Sequence, residues 1–372
     1  MSIYSLYLQL SIKEPSHVTI SNWVKKYGCY QMLDEIETAP DWILITDECV
    51  EFGQNKLFVI YGVRLSKIDF SRSLNYKDLQ VFSIISGNRW PGEKIAQEIQ
   101  GVRQRCGSVL FAIADGGNNI KKGLSIAGIP HVYDVTHKIA WILKRIYQNN
   151  HFFVQFTKDM AMMRKKMTLS KVSHVLPPNQ RSHSRFMNLE IITEWGMKTL
   201  KYLSQNKKNH LEYLQLKWVL KYESLIYELS EVMGLTKIIM CILKTQGLSK
   251  TTAKKCLLEM GLIQTNNANI DKFKEEMKKY LTETKEMVSK FKQIPCTSDI
   301  IESAFGKYKN YISKNSMAGI TNLALSLAAF TKDINSDSVK NAMESVKMSD
   351  IKSWTKLNIA ETNLAKRKAF LN

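Results

Sequence analysis

Three acidic residues of this chain stand where predicted secondary-structure elements begin or end. Asp47 follows the apolar run Trp42–Thr46, and Asp115 follows the apolar run Val109–Ala114. Glu302 falls in the first turn of a helix that we predict from Asp299 onwards. An acid at the end of a buried strand points into a cleft beside the sheet. Three carboxylates gathered there offer the hard oxygen ligands that two Mg²⁺ ions need, with room left for a substrate phosphate.

Each of these acids also has a simpler interpretation. In this interpretation Asp47 only ends a strand, and Asp115-Gly116 is by itself a strong turn signal. The pattern Asp299-x-x-Glu302 satisfies a capping box, in which Glu302 is only the partner of the helix cap. The joint placement of the three acids is what favours a catalytic site.

A second group of reactive residues, Asp134-Val135-Thr136-His137, follows a predicted strand at His131–Asp134. His137 then begins a helix, where its imidazole can reach a phosphate or a water molecule. The alternative is that Asp134 only caps this helix and that His137 is a surface residue.

The elements around these residues predict a mixed α/β sheet of five strands. Three apolar runs follow one another with short links, which favours antiparallel pairing, and later strands alternate with helices, which favours parallel pairing. The predicted strands are 42–46, 57–65, 79–85, 109–114 and 131–134, and the predicted helices among them are 93–105, 120–127 and 136–147.

The beginning of the chain is predicted to be helical. Ser16 suits a helix N-cap, apolar residues follow at helical spacing, and Gly28 suits the stop. With an earlier apolar stretch that ends at Pro15, this pattern fits either a partial helix-turn-helix or a simple helical hairpin, and the sequence does not decide between them.

From about residue 152 strands become scarce and helices rich in Lys and Glu take over. We predict helices at Lys198–Leu203, Leu211–Val232, Asp271–Phe291 and Asp299–Ile312. The resulting division is 1–35 helical and helix-turn-helix-like, 36–150 first part of the α/β core, 151–295 helical insertion, 296–330 last helical part of the core, and 331–372 helical tail.

Charge and cysteine content narrow the function further. The chain of 372 residues has 53 Lys and Arg against 34 Asp and Glu, a net charge of +19, which attracts polyanions and makes nucleic acid the first candidate partner. The six cysteines form no Cys-x-x-Cys pair, which argues against a disulfide framework or a zinc site and for a reducing cytoplasm. No apolar run is long enough for a membrane helix, so we expect no membrane partner.

The order of the elements and the acids Asp47, Asp115 and Glu302 resemble the RNase H-like core and catalytic triad of DDE transposases. The gap of 187 residues between Asp115 and Glu302 is similar to that of the Mutator and hAT branches, in which a helical domain interrupts the core. Asp134-Val135-Thr136-His137 resembles their [C/D]-x-x-H motif. The segments Pro177–Asn188 and Thr297–Ser303 look like those of bacterial insertion-sequence transposases.

This resemblance implies a site and a way of holding DNA. Asp47, Asp115 and Glu302 would bind Mg²⁺, with Mn²⁺ as the alternative, and Asp134 and His137 would complete the catalytic group. The basic insertion would hold DNA phosphates, and Trp195 would stack on a flipped base, although a Trp buried by its own amphipathic helix is the commoner case. The candidate DNA-binding residues are Lys165, Arg181, Arg185, Trp195, Lys307 and Lys309.

The function implied is metal-dependent cleavage and strand transfer of a mobile element's DNA. The expected partners are transposon ends and target DNA, with a homodimer or higher oligomer in the complex, and the expected location is cytoplasmic and nucleoid-associated. Two alternatives stay open. One is an inactive, domesticated or truncated relative that only binds DNA, and the other is an RNase H-like nuclease that cuts without joining.

Overall fold

The computed structural model describes residues 15–52, 55–180, 182–206, 208–287, 289–312 and 319–371. The chain divides into two compact units. The first unit comprises Met1–Asp69, Ser73–Val132 and Ser298–Asn372, and the second comprises Phe70–Arg72 and Tyr133–Thr297. Of the predicted N-terminal helix-turn-helix-like segment, residues 1–14 lie outside the described part of the chain.

A five-stranded sheet forms the centre of the first unit, in the order β3-β2-β1-β4-β5. β1 pairs antiparallel with β2, β2 pairs antiparallel with β3, and β1 pairs parallel with β4. The mixed five-stranded sheet is therefore confirmed, and its order is consistent with the RNase H-like core that the resemblance implies. The strands are β1 (Ala39–Phe52), β2 (Asn55–Arg64), β3 (Gln80–Gly87), β4 (Gly107–Ala114) and β5 (His131–Tyr133).

One face of the sheet is covered by α2 (Gly92–Cys106) and α3 (Asn118–Ile126). Because side chains alternate along a strand, residues such as Leu44 and Ala112 point into this layer, where they pack with Ile99 and other helical residues in one buried cluster. The residues that alternate with them along each strand, such as Ile43 and Phe111, are buried on the opposite face of the sheet.

Helices of the N- and C-terminal segments cover this opposite face. They are α1 (His17–Leu33), α11 (Asp299–Ile312) and α12 (Ser326–Ala329), with α13 (Ser336–Ser345), α14 (Met348–Asn358) and α15 (Asn363–Leu371) following. α11 packs against β1, and α1 and α12 pack against β3. The Tyr61 hydroxyl of β2 donates to the Leu327 carbonyl oxygen at 3.0 Å, which fixes α12 to this face of the sheet.

Ser16 caps α1 as predicted, because its side chain accepts a hydrogen bond from the Thr19 N–H at 3.1 Å. The predicted stop at Gly28 is wrong, since α1 continues to Leu33. Gly28 is instead needed for close packing. A Cβ atom at this position would lie 2.0 Å from the Leu325 carbonyl oxygen.

The second unit is almost wholly helical in its described residues. Its helices are α4 (Val135–Tyr147), α5 (His151–Met167), α6 (Leu189–Gln205), α7 (Leu211–Leu216), α8 (Glu223–Gln246), α9 (Lys250–Leu262) and α10 (Ala268–Met287). Two short strands, β6 (Leu248–Ser249) and β7 (Gln293–Ile294), form a small antiparallel pair.

The prediction of one continuous helix over Leu211–Val232 is wrong. A 3-10 segment at Lys217–Tyr222 separates α7 from α8. Val219 and Tyr222 are buried in this segment, so the tighter turn keeps two apolar side chains directed inward. No helix among the described residues is long and apolar enough to cross a membrane.

Candidate functional site

Asp47 lies inside β1 and not at its end, which corrects the prediction that it closes the first strand. β1 extends to Phe52 because β2 pairs with it beyond Asp47, and Asp47 itself lies opposite Val59. On the other side of β1, the pairing with β4 extends to Ile45 opposite Ile113. Asp47 is therefore paired with β2, and it lies two residues beyond the last pair between β1 and β4.

The register of β1 and β4 relates two of the three predicted acids. Asp47 is two residues beyond Ile45, and Asp115 is two residues beyond Ile113, directly after the end of β4. Since side chains repeat every second residue along a strand, Asp47 belongs to the face that carries Ile45. Asp115 follows Ile113 by the same two residues, one residue past the end of β4. The face that carries Ile45 is the one against which α11 packs, and Asp47 and Asp115 are both half-buried.

Each of these two carboxylates bonds to the backbone that follows it. Asp47 Oδ1 accepts from the Glu48 N–H at 2.7 Å, and Asp115 Oδ1 accepts from the Gly117 N–H at 2.9 Å. The second bond closes an Asx turn, so the predicted turn role of Asp115 is present in the structure. A Cβ atom at residue 117 would lie 3.0 Å from Asp115 Oδ1, which explains a glycine at this position.

Glu302 lies on α11, which begins at Asp299 as predicted. With this start the third helical residue is Ile301, and Glu302 is the fourth, one position beyond that of a capping-box partner. Ile301, Phe305 and Tyr308 are buried on the inner side of α11, and Glu302 is half-buried beside them. Glu302 therefore borders the packed face of the helix that contacts β1.

The donors in this region have the chemistry that Mg²⁺ requires, because all three are carboxylates. Within the described residues, no group of three or more His, Cys, Asp or Glu side chains is gathered closely enough to hold a metal ion. The fit of these acids to a magnesium site therefore rests on the chemistry of their oxygen donors.

Asp134 and His137 belong to the second unit. Asp134 is fully buried and caps α4, because its Oδ1 accepts from the His137 N–H at 2.8 Å. The capping role considered for Asp134 is thus present, and His137 is half-buried in the first turn. The Val135 N–H donates to the Cys296 carbonyl oxygen at 2.9 Å, so the segments that enter and leave this unit are bonded to each other.

Tyr280 of α10 strengthens this junction within the second unit. Its hydroxyl donates to the Tyr133 carbonyl oxygen at 2.9 Å. Burial raises the pKa of Tyr280 well above its usual value, and the neighbouring Cys296 and Asp134 raise it further. Tyr280 therefore stays neutral and acts as a hydrogen-bond donor to the backbone next to Asp134.

His131 was not among the predicted site residues, although it lies close to Asp115. His131 begins β5, and its Nε2 lies 3.3 Å from the Ala114 carbonyl oxygen, immediately before Asp115. Burial lowers the pKa of His131, and the nearby Lys121 lowers it further. The only sequence signal for this residue was a histidine at the start of an apolar strand.

The predicted DNA-binding residues have different surroundings. Arg181 lies outside the described residues, and Lys165 is exposed on α5. Arg185 is half-buried, and its Nη1 donates to Thr157 Oγ1 at 3.4 Å. The half-buried ring of Trp195 stacks with that of Trp218 of the same unit, with centroids 6.1 Å apart and planes at 28°.

The two lysines of α11 also differ from each other. The exposed Lys307 holds its Nζ 4.1 Å from the Tyr76 ring centroid and 5.1 Å from that of Phe330. Lys309 is half-buried. The ammonium group of Lys307 thus already contributes to the packing of α11 within the first unit.

A basic pocket that was not predicted lies in the second unit, beside the start of α9. It has a volume of about 660 Å³, and Lys250, Lys290 and Lys292 line it together with several hydroxyl groups. Lys250 is about 40 residues away from Lys290 and Lys292 in the sequence, so no local pattern could have revealed the pocket. It concentrates positive charge on one part of a chain that is basic throughout.

One of the solved structures that are similar to this chain is a transposase complex. The Drosophila P element transposase strand transfer complex is similar to this chain with a TM-score of 0.42 and 12% sequence identity, over 90% of this chain and 89% of that chain. No family model matches this sequence. No curated protein matches it either.

Proposed function

We propose that this chain is a DDE transposase that cleaves the DNA of a mobile element and joins it to a target. The observation that carries the proposal is the register of β1 and β4, in which Asp47 and Asp115 follow the paired Ile45 and Ile113 by the same two residues. The contact between β1 and α11, the helix that bears Glu302, supports the inclusion of this third acid.

In this proposal Asp47, Asp115 and Glu302 supply oxygen ligands for Mg²⁺ or Mn²⁺. When bound, such a metal pair activates the attacking oxygen and stabilises the leaving oxygen of an in-line displacement at phosphorus. His137 would orient the scissile phosphate or the attacking hydroxyl. Asp134, which holds the first turn of α4 through the His137 N–H, would orient that histidine.

The positive charge of the chain supports DNA as the substrate. A net charge of +19 provides the counter-charge that phosphates require, and exposed residues such as Lys165 can contact them without disturbing the packing. We further propose that two or more copies assemble on paired DNA ends, which light scattering of the DNA complex would test.

The test is a reaction of a labelled duplex, taken from the ends of the element that encodes this chain, with a supercoiled plasmid as target. We expect cleaved and joined products with Mg²⁺ or Mn²⁺ and none with EDTA. Asp115→Asn should abolish both products. Asp333→Asn, which changes an exposed aspartate of the first unit, is the matched control and should retain both.

The same reaction distinguishes the alternatives. Cleavage without joining would identify a nuclease, and binding without either product would identify an inactive DNA-binding relative. Full cleavage by Asp115→Asn would remove Asp115 from the catalytic group.

A further inference from the structure

An exposed tryptophan on α4 lies between two cationic side chains. Trp141 is 39% exposed. Lys138 Nζ lies 4.4 Å from its ring centroid, and Arg145 Cζ lies 4.7 Å from it. Lys138 Nζ also lies 5.7 Å from the ring centroid of Tyr133. Aromatic rings and cations therefore alternate along this surface of the second unit.

The exposure of this ring sets it apart from other tryptophans beside cations. Trp42 and Trp90 also lie next to a cation, but both rings are buried in the sheet layer and serve its packing. The indole of Trp141 is available at the surface. α4 has three basic residues and no acidic one, so the local field is positive.

Single-stranded DNA has the chemistry that this surface would recognise. Proteins bind single strands by stacking bases on aromatic rings while Lys and Arg contact the phosphates. A contact between an exposed cation and an aromatic ring is weaker than the stacking of a base on that ring. An arriving base would therefore displace the flexible Lys138 ammonium from the indole, and the ammonium would pair with the neighbouring phosphate.

We propose that Trp141, flanked by Lys138 and Arg145, is a contact site for single-stranded DNA. The proposal rests on the proposed function to the extent that it gives the protein DNA as a substrate. It adds the form of DNA recognised, an unpaired segment, and the residue on which a base stacks. Arg145 Nη1 also lies 3.6 Å from Glu276 Oε1, so part of the charge of Arg145 is paired within the protein.

The experiment uses the full chain and an oligothymidylate of about 20 nucleotides, with tryptophan fluorescence and anisotropy as readouts. Wild type should bind with quenched fluorescence. Trp141→Leu should lose most of the quenching and weaken binding by about 5- to 150-fold, the range expected for one lost base stack. Trp141→Phe should retain most of the affinity. Lys138→Gln should lower the salt dependence by about one phosphate contact.

Tyr227→Leu is the matched control. Tyr227 is also an exposed aromatic residue on a helix of the second unit, at 51%, and its substitution should leave the affinity for oligothymidylate unchanged. Equal affinity of Trp141→Leu and Tyr227→Leu would overturn the proposal, as would a wild type that binds duplex DNA but not the oligonucleotide. If wild type binds duplex DNA and cleaves it while Trp141→Leu behaves as wild type, this inference alone fails. If wild type binds no DNA, the proposed function fails with it.

Discussion

The Tyr76 hydroxyl donates a hydrogen bond to Ser303 Oγ, with the two oxygens 2.8 Å apart. Tyr76 belongs to the connection between β2 and β3, and Ser303 directly follows Glu302 on α11. One turn later on α11, Lys307 holds its ammonium over the same tyrosine ring. The Lys332 N–H donates to the Tyr76 carbonyl oxygen at 3.1 Å and fixes the tyrosine in turn. Tyr76 thus fastens the first turns of the helix that bears Glu302.

We predict that Tyr76→Phe lowers the free energy of unfolding by about 0.5–1 kcal/mol, the usual net value of one hydrogen bond. The ring that contacts Lys307 is retained, so only the bond to Ser303 is lost. If this bond positions Glu302, the rate of DNA cleavage should fall while DNA affinity stays constant. Urea unfolding and single-turnover cleavage measure the two effects.

Tyr227→Phe is the control for this variant, because Tyr227 is 51% exposed on α8. It should change neither stability nor cleavage. An equal loss of stability in Tyr227→Phe would show that the bond to Ser303 contributes nothing specific.

Two helical glycines should respond in opposite directions to the same substitution. Gly28→Ala puts a Cβ atom 2.0 Å from the Leu325 carbonyl oxygen, so α1 and the Leu325 backbone must move apart. We expect a loss of about 1–3 kcal/mol in the free energy of unfolding, as for other overpacked sites. Gly101→Ala on α2 meets no atom within 4 Å and should gain about 0.5–1 kcal/mol from helix propensity. Urea or thermal unfolding of the two variants measures both changes, and a stabilised Gly28→Ala would contradict the contact.

The sheet could be predicted from sequence because its strands are continuous apolar runs, such as Val109–Ala114, bounded by turn residues. Other features depend on contacts between residues that are far apart in the sequence, and local sequence patterns did not predict them. Gly28 has the local signature of a helix stop, but Leu325, almost 300 residues away in sequence, determines why a glycine is needed there. Asp47 was expected to end its strand, yet β2 pairs with β1 beyond it.

The residues of the candidate site also differ in how far the sequence alone could predict them. Asp115 and Glu302 were predicted from the elements beside them, and their catalytic roles stay predictions. The tyrosine that holds α11 could not be predicted, because the partnership of Tyr76 and Ser303 joins residues 227 positions apart through the tertiary fold. The lysines that line the basic pocket were missed for the same reason.

Magnesium should stabilise the folded protein if the three acids bind it. Carboxylates brought together repel one another, and a cation that binds only the folded state raises its stability. At a Mg²⁺ concentration of about 100 times its dissociation constant, the gain should be about 2.7 kcal/mol. Asp115→Asn should remove most of the rise in melting temperature, and Asp333→Asn should keep it. An equal response of wild type and Asp115→Asn to Mg²⁺ would exclude Asp115 as a ligand.

Binding of duplex DNA should weaken steeply with salt, because the net charge of +19 acts through phosphates and released counterions. The logarithm of the affinity should fall linearly with the logarithm of the salt concentration, by about 0.9 for each phosphate contacted. Lys165→Gln, on the exposed side of α5, should weaken binding and lower this slope by about one contact. Lys340→Gln, an exposed lysine of α13, should leave the slope unchanged. Asp115→Asn should retain its affinity in metal-free buffer, since binding depends on basic residues elsewhere. A wild-type affinity that does not change with salt would contradict the assignment of DNA as the partner.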